Sequence, residues 1–164
     1  MTGNAATSSR PRGTGRRRGL ALIDTVLVIL LTGIFVAAAA PRYADAVSRL
    51  SVRAAAERVQ ADLQSARRTA IARSTPVTVT FSTDTNSYSI PALPGLRTPS
   101  ETYAVDLSDE PYAVTLLSAS FGGDPAVIFN EHGVPDTGGV IDVQRGSYRR
   151  SVTVQAESGA VTTP

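Results

Sequence analysis

An apolar run near the N-terminus constrains the fold of this chain more than any other feature. The run covers residues 20–40 and contains one charged residue, Asp24. A helix of this length is about 30 Å long at ~1.5 Å per residue, which is enough to cross the hydrocarbon core of a bilayer. The sequence therefore predicts a membrane-spanning helix close to the N-terminus.

Positive charge is concentrated on the N-terminal side of this run. All sixteen basic residues are arginine, and five of them precede Leu20. Because positive charge is retained on the cytoplasmic side of a membrane, this end is predicted to face the cytoplasm. Residues 20–164 carry 11 arginines and 14 acids, a net charge of −3. That balance, with only 5% aromatic residues, argues against a nucleic-acid-binding head.

A second helical pattern, this time amphipathic, follows Pro41. Apolar residues recur at spacings of three and four, which places them on one face of a helix. They are Val52, Ala56, Val59, Leu63, Ala66 and Ala70. Arg53 and Glu57 lie off this face as an oppositely charged i,i+4 pair. Pro76 ends the pattern, so we predict one helix over residues 20–73, bent near Pro41.

After Pro76 the apolar period changes to two, which is typical of β-strands. A strand at 77–81, a turn at 84–86 and a return strand beginning at Tyr88 are predicted. Residues 91–111 are predicted to be a long loop with a short strand at 103–107. Further strands are predicted at 114–117, 127–129, 140–143, 151–155 and 160–162, with a turn-rich loop at 130–139. The predicted fold class is α+β, with the long helix packed on a small, mostly antiparallel sheet.

The junction between the arginines and the apolar run resembles the prepilin signal of type IV pilins and type II secretion pseudopilins. It reads Arg16-Arg17-Arg18-Gly19 followed by Leu20-Ala21-Leu22-Ile23-Asp24. The family pattern is a basic leader, a glycine, and an apolar helix with an acid at its fifth position. Here leucine, alanine and aspartate stand where the family has phenylalanine, threonine and glutamate. Pro41 stands at the twenty-second position, where that family commonly has a proline.

This resemblance implies processing and assembly in a membrane. Prepilin peptidase would cut after Gly19, and the new N-terminus at Leu20 would be N-methylated. Asp24 would pair with the free α-amino group of an adjacent subunit, since a lone carboxylate in a membrane helix is costly. The alternative for Asp24 is a solvated position at the membrane interface. The implied partners are the peptidase, other pilins or pseudopilins, and the lipid of the inner membrane.

The resemblance also divides the chain into four segments. Residues 1–19 are a basic leader, which we expect to be disordered over 1–15 before it is removed. Residues 20–41 form the transmembrane helix, and 42–75 continue it as an amphipathic helix. Residues 76–164 form a β-rich periplasmic head. Leu22, Ile23, Val26, Ile29, Leu30 and Phe35 would pack in the helical bundle, with Gly33 and Ala37 permitting close contact.

The remainder of the chain is similar to the H-type minor pseudopilins of type II secretion. The segments that carry this likeness are AVIFNEHG at 126–133, GGVIDV at 138–143, SVTVQ at 151–155 and SGAV at 158–161. It implies a structural subunit of a pseudopilus that exports folded proteins, without enzymatic activity or a cofactor. A minor type IV pilin of a motility, adhesion or DNA-uptake pilus is the alternative.

Two further classes of protein explain the same residues less well. A secreted protein could be cut after Ala40, but Pro41 would then follow the scissile bond and Asp24 would interrupt the apolar region. A single-pass membrane protein with an enzymatic head would need a catalytic or metal site. The chain has no cysteine and one histidine, His132, in a Glu-His-Gly turn where a solvated side chain is expected.

The remaining charged residues also have simple structural interpretations. Asp109 and Glu110 are adjacent and are interpreted as a solvated loop rather than a catalytic pair. Asp84, Asp124 and Asp136 stand beside turn-forming residues. A nucleic-acid-binding pilin could use the arginines of the C-terminal hairpin. We interpret these instead as charges that guard an exposed strand edge: Arg145, Arg149 and Arg150.

Overall fold

A computed structural model describes residues 17–96 and 98–163 of the chain. The prediction of disorder over residues 1–15 falls outside this part. A single helix, α1, runs from Arg17 to Arg73, and eight strands follow it. The strands are β1 (Val77–Ser82), β2 (Ser87–Pro94), β3 (Thr102–Asp106), β4 (Thr115–Phe121), β5 (Ala126–Phe129), β6 (Gly139–Arg145), β7 (Tyr148–Val154) and β8 (Val161–Thr162). The α+β class is confirmed.

The described residues divide into two units, one up to Tyr43 and one from Ala44 onward. The first contains the N-terminal part of α1. The second contains the remainder of α1 and all eight strands.

The helix ends where the sequence predicts, in a hydrogen-bonded C-cap. Ser74 adopts a left-handed conformation with φ of 46°. Its N–H donates to the carbonyl of Ile71 at 3.3 Å, and the N–H of Thr75 donates to the carbonyl of Ala70 at 3.2 Å. This is the Schellman arrangement, which satisfies carbonyls that the helix itself leaves unpaired. Pro76 then starts the extended chain.

All strand pairs are antiparallel, but the strands divide between two four-stranded sheets rather than one. The first sheet has the order β3-β2-β1-β5 and the second β4-β6-β7-β8. Asn86, in the β1–β2 turn, connects them. Its backbone carbonyl oxygen accepts a hydrogen bond from the N–H of Leu107, which follows β3 of the first sheet. Its side-chain Oδ1 accepts one from the N–H of Leu116 in β4 of the second sheet, and both distances are 2.9 Å.

The predicted apolar stripe of the helix forms one side of the core. All six of its residues are buried, and Ala55 joins them. The other side consists of inward-facing residues from both sheets, including Tyr88, Ile90, Phe121, Phe129, Ile141 and Val152. Burial of this apolar face contributes more to the stability of the helix than the intrinsic helix propensity of its residues does.

Two predicted strand boundaries were wrong by four residues, and β7 begins at Tyr148 rather than at 151. Residues 91–94, expected in a loop, belong to β2. Pro91 and Pro94 are tolerated because β1 pairs with β2 only at residues 87–89, and the β2–β3 register shifts between Ile90 and Pro94. Strand β4 extends to Phe121 rather than ending at 117, through small residues that pair with β6 around an irregularity between Leu116 and Ser118.

The turn-rich loop at 130–139 packs against the end of the helix. Gly133 has φ of +75°, and a Cβ there would lie 2.7 Å from Cδ1 of Ile71. Arg67 donates from Nε to the carbonyl of Gly133 at 2.9 Å. Glycine is therefore required by both the backbone conformation and the close approach of the helix.

Candidate assembly site

The N-terminal part of α1 exposes apolar side chains on every side. Residues 26–31 are six consecutive exposed apolar residues, and at 3.6 residues per turn they cover the whole circumference of the helix. The most apolar 18-residue stretch has a mean hydropathy of 2.5, and none of it is buried within the structure. A helix that is apolar all round must be covered by lipid or by other apolar surfaces. It has the length and composition to cross a membrane.

Asp24 is the one acid in this apolar surface, and its side chain is exposed. Among the residues whose side chains the structure describes, none forms a hydrogen bond or ion pair with it. The carboxylate is therefore accessible to a group from outside the chain. This arrangement is compatible with the predicted pairing to a neighbouring subunit.

The other predicted site residues lie on the same helix. Gly19, Leu20 and Pro41 have helical backbone within α1, but their side-chain environments fall outside the described part. Gly33 has open space where a Cβ would stand, with no atom within 4 Å. Packing within the chain therefore does not require a glycine at residue 33, and its role in close helix contact stays a prediction.

A buried polar cluster, which the sequence did not indicate, joins the helix to the first sheet. Asp62 is 8% exposed, and its Oδ2 accepts from the hydroxyls of Tyr88 at 2.5 Å and Tyr103 at 2.7 Å. Arg58, one turn earlier, donates from Nε to the same oxygen at 3.0 Å and from Nη2 to the Tyr103 hydroxyl at 2.5 Å. We call these four residues the Asp62 cluster. Its hydrogen bonds hold α1 against both β2 and β3.

The electrostatics of the Asp62 cluster favour neutral tyrosines beside a charged pair. Burial, with the hydrogen bond to Asp62, raises the pKa of Tyr103 to about 12. Burial and the Asp62 carboxylate raise the pKa of Tyr88 further. Both hydroxyls therefore remain protonated donors at neutral pH.

A sequence signal for this cluster exists but is weak. Asp62 is one residue before Leu63 of the apolar stripe, and Tyr88 and Tyr103 occupy inward positions of alternating strands. An acid next to a core stripe is usually solvated, because burying a carboxylate without partners is costly. Only the pairing of β2 with β3 shows that two tyrosine hydroxyls reach the same carboxylate.

Asp62→Ala is expected to lower the free energy of unfolding by about 3 kcal/mol, because it leaves Arg58 and two buried hydroxyls without their acceptor. The matched control is Glu57→Ala, which breaks the exposed Arg53–Glu57 pair of the same spacing on the same helix. That change should cost less than about 1 kcal/mol. Urea unfolding of the full chain in detergent micelles measures both. Equal costs for the two variants would contradict a structural role for the cluster.

His132 and Asp136, two of the residues considered for an enzymatic head, lie at exposed turn positions. His132 is exposed, with its Nε2 3.8 Å from Oε1 of Glu131. Asp136 is a turn residue as predicted, since its Oδ1 accepts from the N–H groups of Ile128 and Thr137. Within residues 17–96 and 98–163, no group of three or more histidine, aspartate or glutamate side chains could hold a metal ion.

Two arginines of the C-terminal hairpin, Arg145 and Arg149, form separate contacts. Arg149 pairs with the buried carboxylate of Asp142, which lowers the pKa of that carboxyl. Arg145 donates to the hydroxyl of Ser51 at 2.7 Å and to the carbonyl of Tyr112 at 3.1 Å. Strand β7 pairs with β8 only at Thr153 and Val154, so its first residues lie at the sheet edge. This supports the interpretation of charges at a strand edge for Arg149 and Arg150, whereas Arg145 lies on the interior strand β6 and was wrongly placed at an edge.

Two solved structures, one of a minor pilin and one of a minor pseudopilin, have a similar fold. The type IV minor pilin FimU of Pseudomonas aeruginosa matches with a TM-score of 0.55 and 16% identity, over 71% of this chain and 90% of that one. The minor pseudopilin EpsH from the type 2 secretion system of Vibrio cholerae matches with a TM-score of 0.53 and 18% identity, over 70% and 96%. No curated protein sequence matches. These likenesses show that the fold is pilin-like.

The family follows from the sequence of the last turns of α1 and of the strands after it. The model of the family described as Type II transport protein GspH matches residues 55–159. The chain therefore belongs to the GspH family. It is a minor pseudopilin of the type II secretion system, a structural subunit rather than an enzyme, and its class assembles with other pilins or pseudopilins.

Proposed function

We propose that the chain is stored in the inner membrane as a precursor and enters the pseudopilus after its leader is removed. The peptidase cuts after Gly19, and Leu20 becomes the methylated N-terminus. Residues 20–41 span the membrane with the N-terminus cytoplasmic, while residues 42–75 continue the helix and 76–164 form the periplasmic head. The observation that carries this proposal is a helix exposed and apolar on every side, with one accessible acid, Asp24.

The proposed assembly follows from what this surface can bind. In the precursor, lipid covers the apolar side chains. In the pseudopilus, the apolar helices of neighbouring subunits cover them instead, and Gly33 permits a close approach of two backbones. The carboxylate of Asp24 pairs with the α-amino group at Leu20 of an adjacent subunit. That ion pair can form only after cleavage has exposed the α-amino group, so it couples processing to assembly. Pro41 marks the end of the membrane-spanning segment.

Deleting the gene in its host tests the proposed function. Export of folded proteins across the outer membrane is expected to fall to background and to return when the full chain is supplied. Pilus-dependent motility and DNA uptake are expected to be unchanged, as the control. Normal export with lost motility or DNA uptake would contradict the proposal and favour a type IV pilus subunit.

A further inference from the structure

The outer edge of β3 is an open sheet edge. In the first sheet β3 pairs only with β2, and no other described strand pairs with it. The strand alternates regularly: Tyr103 and Val105 are buried, while Thr102, Ala104 and Asp106 are exposed. An open edge presents unpaired N–H and C=O groups to which another extended segment can pair.

A groove of about 540 Å³ follows this edge. Ala104 and Asp106 line it from the outer face of the strand, and Arg58 lines it from the helix that covers the inner face. Because lining residues come from both faces, the groove straddles the edge of β3. Its far side is formed by the loop after β3, where Tyr112 is half-buried, and Leu96 adds an exposed apolar side chain.

The groove is strongly acidic. Four exposed carboxylates line it: Glu101, Asp106, Asp109 and Glu110. Among the described lining residues Arg58 is the only basic one, and it already donates to Asp62 and to Tyr103. Residues 98–144 contain eight acids and neither arginine nor lysine, and Arg97, next to Leu96 of the groove, lies outside the described part. A bound segment would therefore need positive charge to be complementary.

The Asp62 cluster holds this edge in place before anything binds. It ties Tyr103 of β3 to the helix from the inner side. An edge that is already fixed loses less conformational entropy when a partner pairs with it.

We propose that the β3 edge and its groove bind an extended, arginine- or lysine-bearing segment of a neighbouring subunit, which adds to the first sheet as a further strand. This rests on the proposed function for the identity of the neighbour. Backbone hydrogen bonds along β3 provide the pairing, and the four carboxylates select for positive side chains.

Hydrogen–deuterium exchange of the full mature chain in detergent micelles tests strand addition directly. The probe is the acetylated and amidated peptide Arg-Val-Arg-Val-Arg, whose arginines share one face when extended. It is expected to slow exchange of the outward-facing amides of residues 102–106 by at least about tenfold. The peptide Glu-Val-Glu-Val-Glu should have no effect. Protection that is absent, that occurs elsewhere, or that both peptides cause equally would overturn the proposal.

Matched charge variants test whether the groove acids bind a positively charged segment or only prevent aggregation at the open edge. The double variant Asp109→Asn, Glu110→Gln is expected to lose the peptide-induced protection and to be recovered less in sheared pseudopili, while remaining cleaved and membrane-bound. The control Asp84→Asn, Glu131→Gln removes two exposed acids outside the groove and should behave as wild type. If the groove variant still binds the peptide and differs from wild type only by aggregating, the acids serve only to prevent aggregation at the edge, and the proposal fails. The exchange measurement needs no pseudopilus, so its outcome is independent of the deletion experiment.

Discussion

A Gly19→Ala chain is expected to accumulate in the membrane as uncleaved precursor and to be absent from pseudopili. The peptidase must bring its catalytic groups close to the backbone at the scissile bond, and glycine at residue 19 leaves that approach free of a side chain. An uncleaved chain keeps five arginines ahead of Leu20 and has no free α-amino group there to pair with Asp24. Intact mass of the membrane-extracted protein measures the uncleaved fraction.

The control for this variant is Gly15→Ala, the same substitution four residues earlier in the leader. It should be cleaved and assembled normally. If Gly19→Ala is processed and supports export like the control, the assignment of the cleavage site is wrong.

Asp24→Ala is expected to leave the chain cleaved and membrane-bound but to lower its recovery in sheared pseudopili by about tenfold or more. The change removes the acid that would neutralise a neighbour's α-amino group, and an unpaired charge within an apolar bundle is strongly unfavourable. Asp24→Glu, which keeps the charge and lengthens the side chain, should retain most incorporation. Quantitative immunodetection of the sheared and membrane fractions measures the ratio.

Asp45→Ala is the matched control, because Asp45 is an exposed acid on the same helix beyond the apolar run. It should assemble like the wild type. Recovery of Asp24→Ala equal to that of Asp45→Ala would show that Asp24 is merely solvated, which is the alternative the sequence left open.

The helix could be predicted almost completely, because its determinants are local in sequence. The period of the stripe from Val52 to Ala70 identifies the buried face, and all six predicted residues are buried. Pro76 and the change of period after it predict the C-terminus of α1 within a residue. Most strands were found for the same reason, since alternation at Val77, Val79 and Phe81 depends only on neighbours along the chain.

What could not be predicted depends on contacts distant in sequence. The division into two sheets follows from pairings such as β1 with β5 and β4 with β6, which no local pattern records. The Asp62 cluster requires Tyr88 and Tyr103 to reach one carboxylate, 26 and 41 residues away along the chain. The groove beside β3 likewise appears only when the helix, the edge strand and the following loop are brought together.

Sequence and structure contribute different parts of the candidate assembly site. The positions of Gly19, Leu20, Asp24 and Pro41 came from the prepilin-like signal. The structure adds that the apolar helix is exposed on every side and that Asp24 is accessible. The GspH family match begins at residue 55, within α1, so it does not cover Gly19 and leaves cleavage there as a proposal.

The intact mass and N-terminal residue of the mature protein, purified from membranes of its host, test the central claim most directly. We expect one species that begins at Leu20, carries one methyl group on its α-amine and lacks residues 1–19. A mature protein that begins with Pro41, or that retains the leader in assembled pseudopili, would contradict the account.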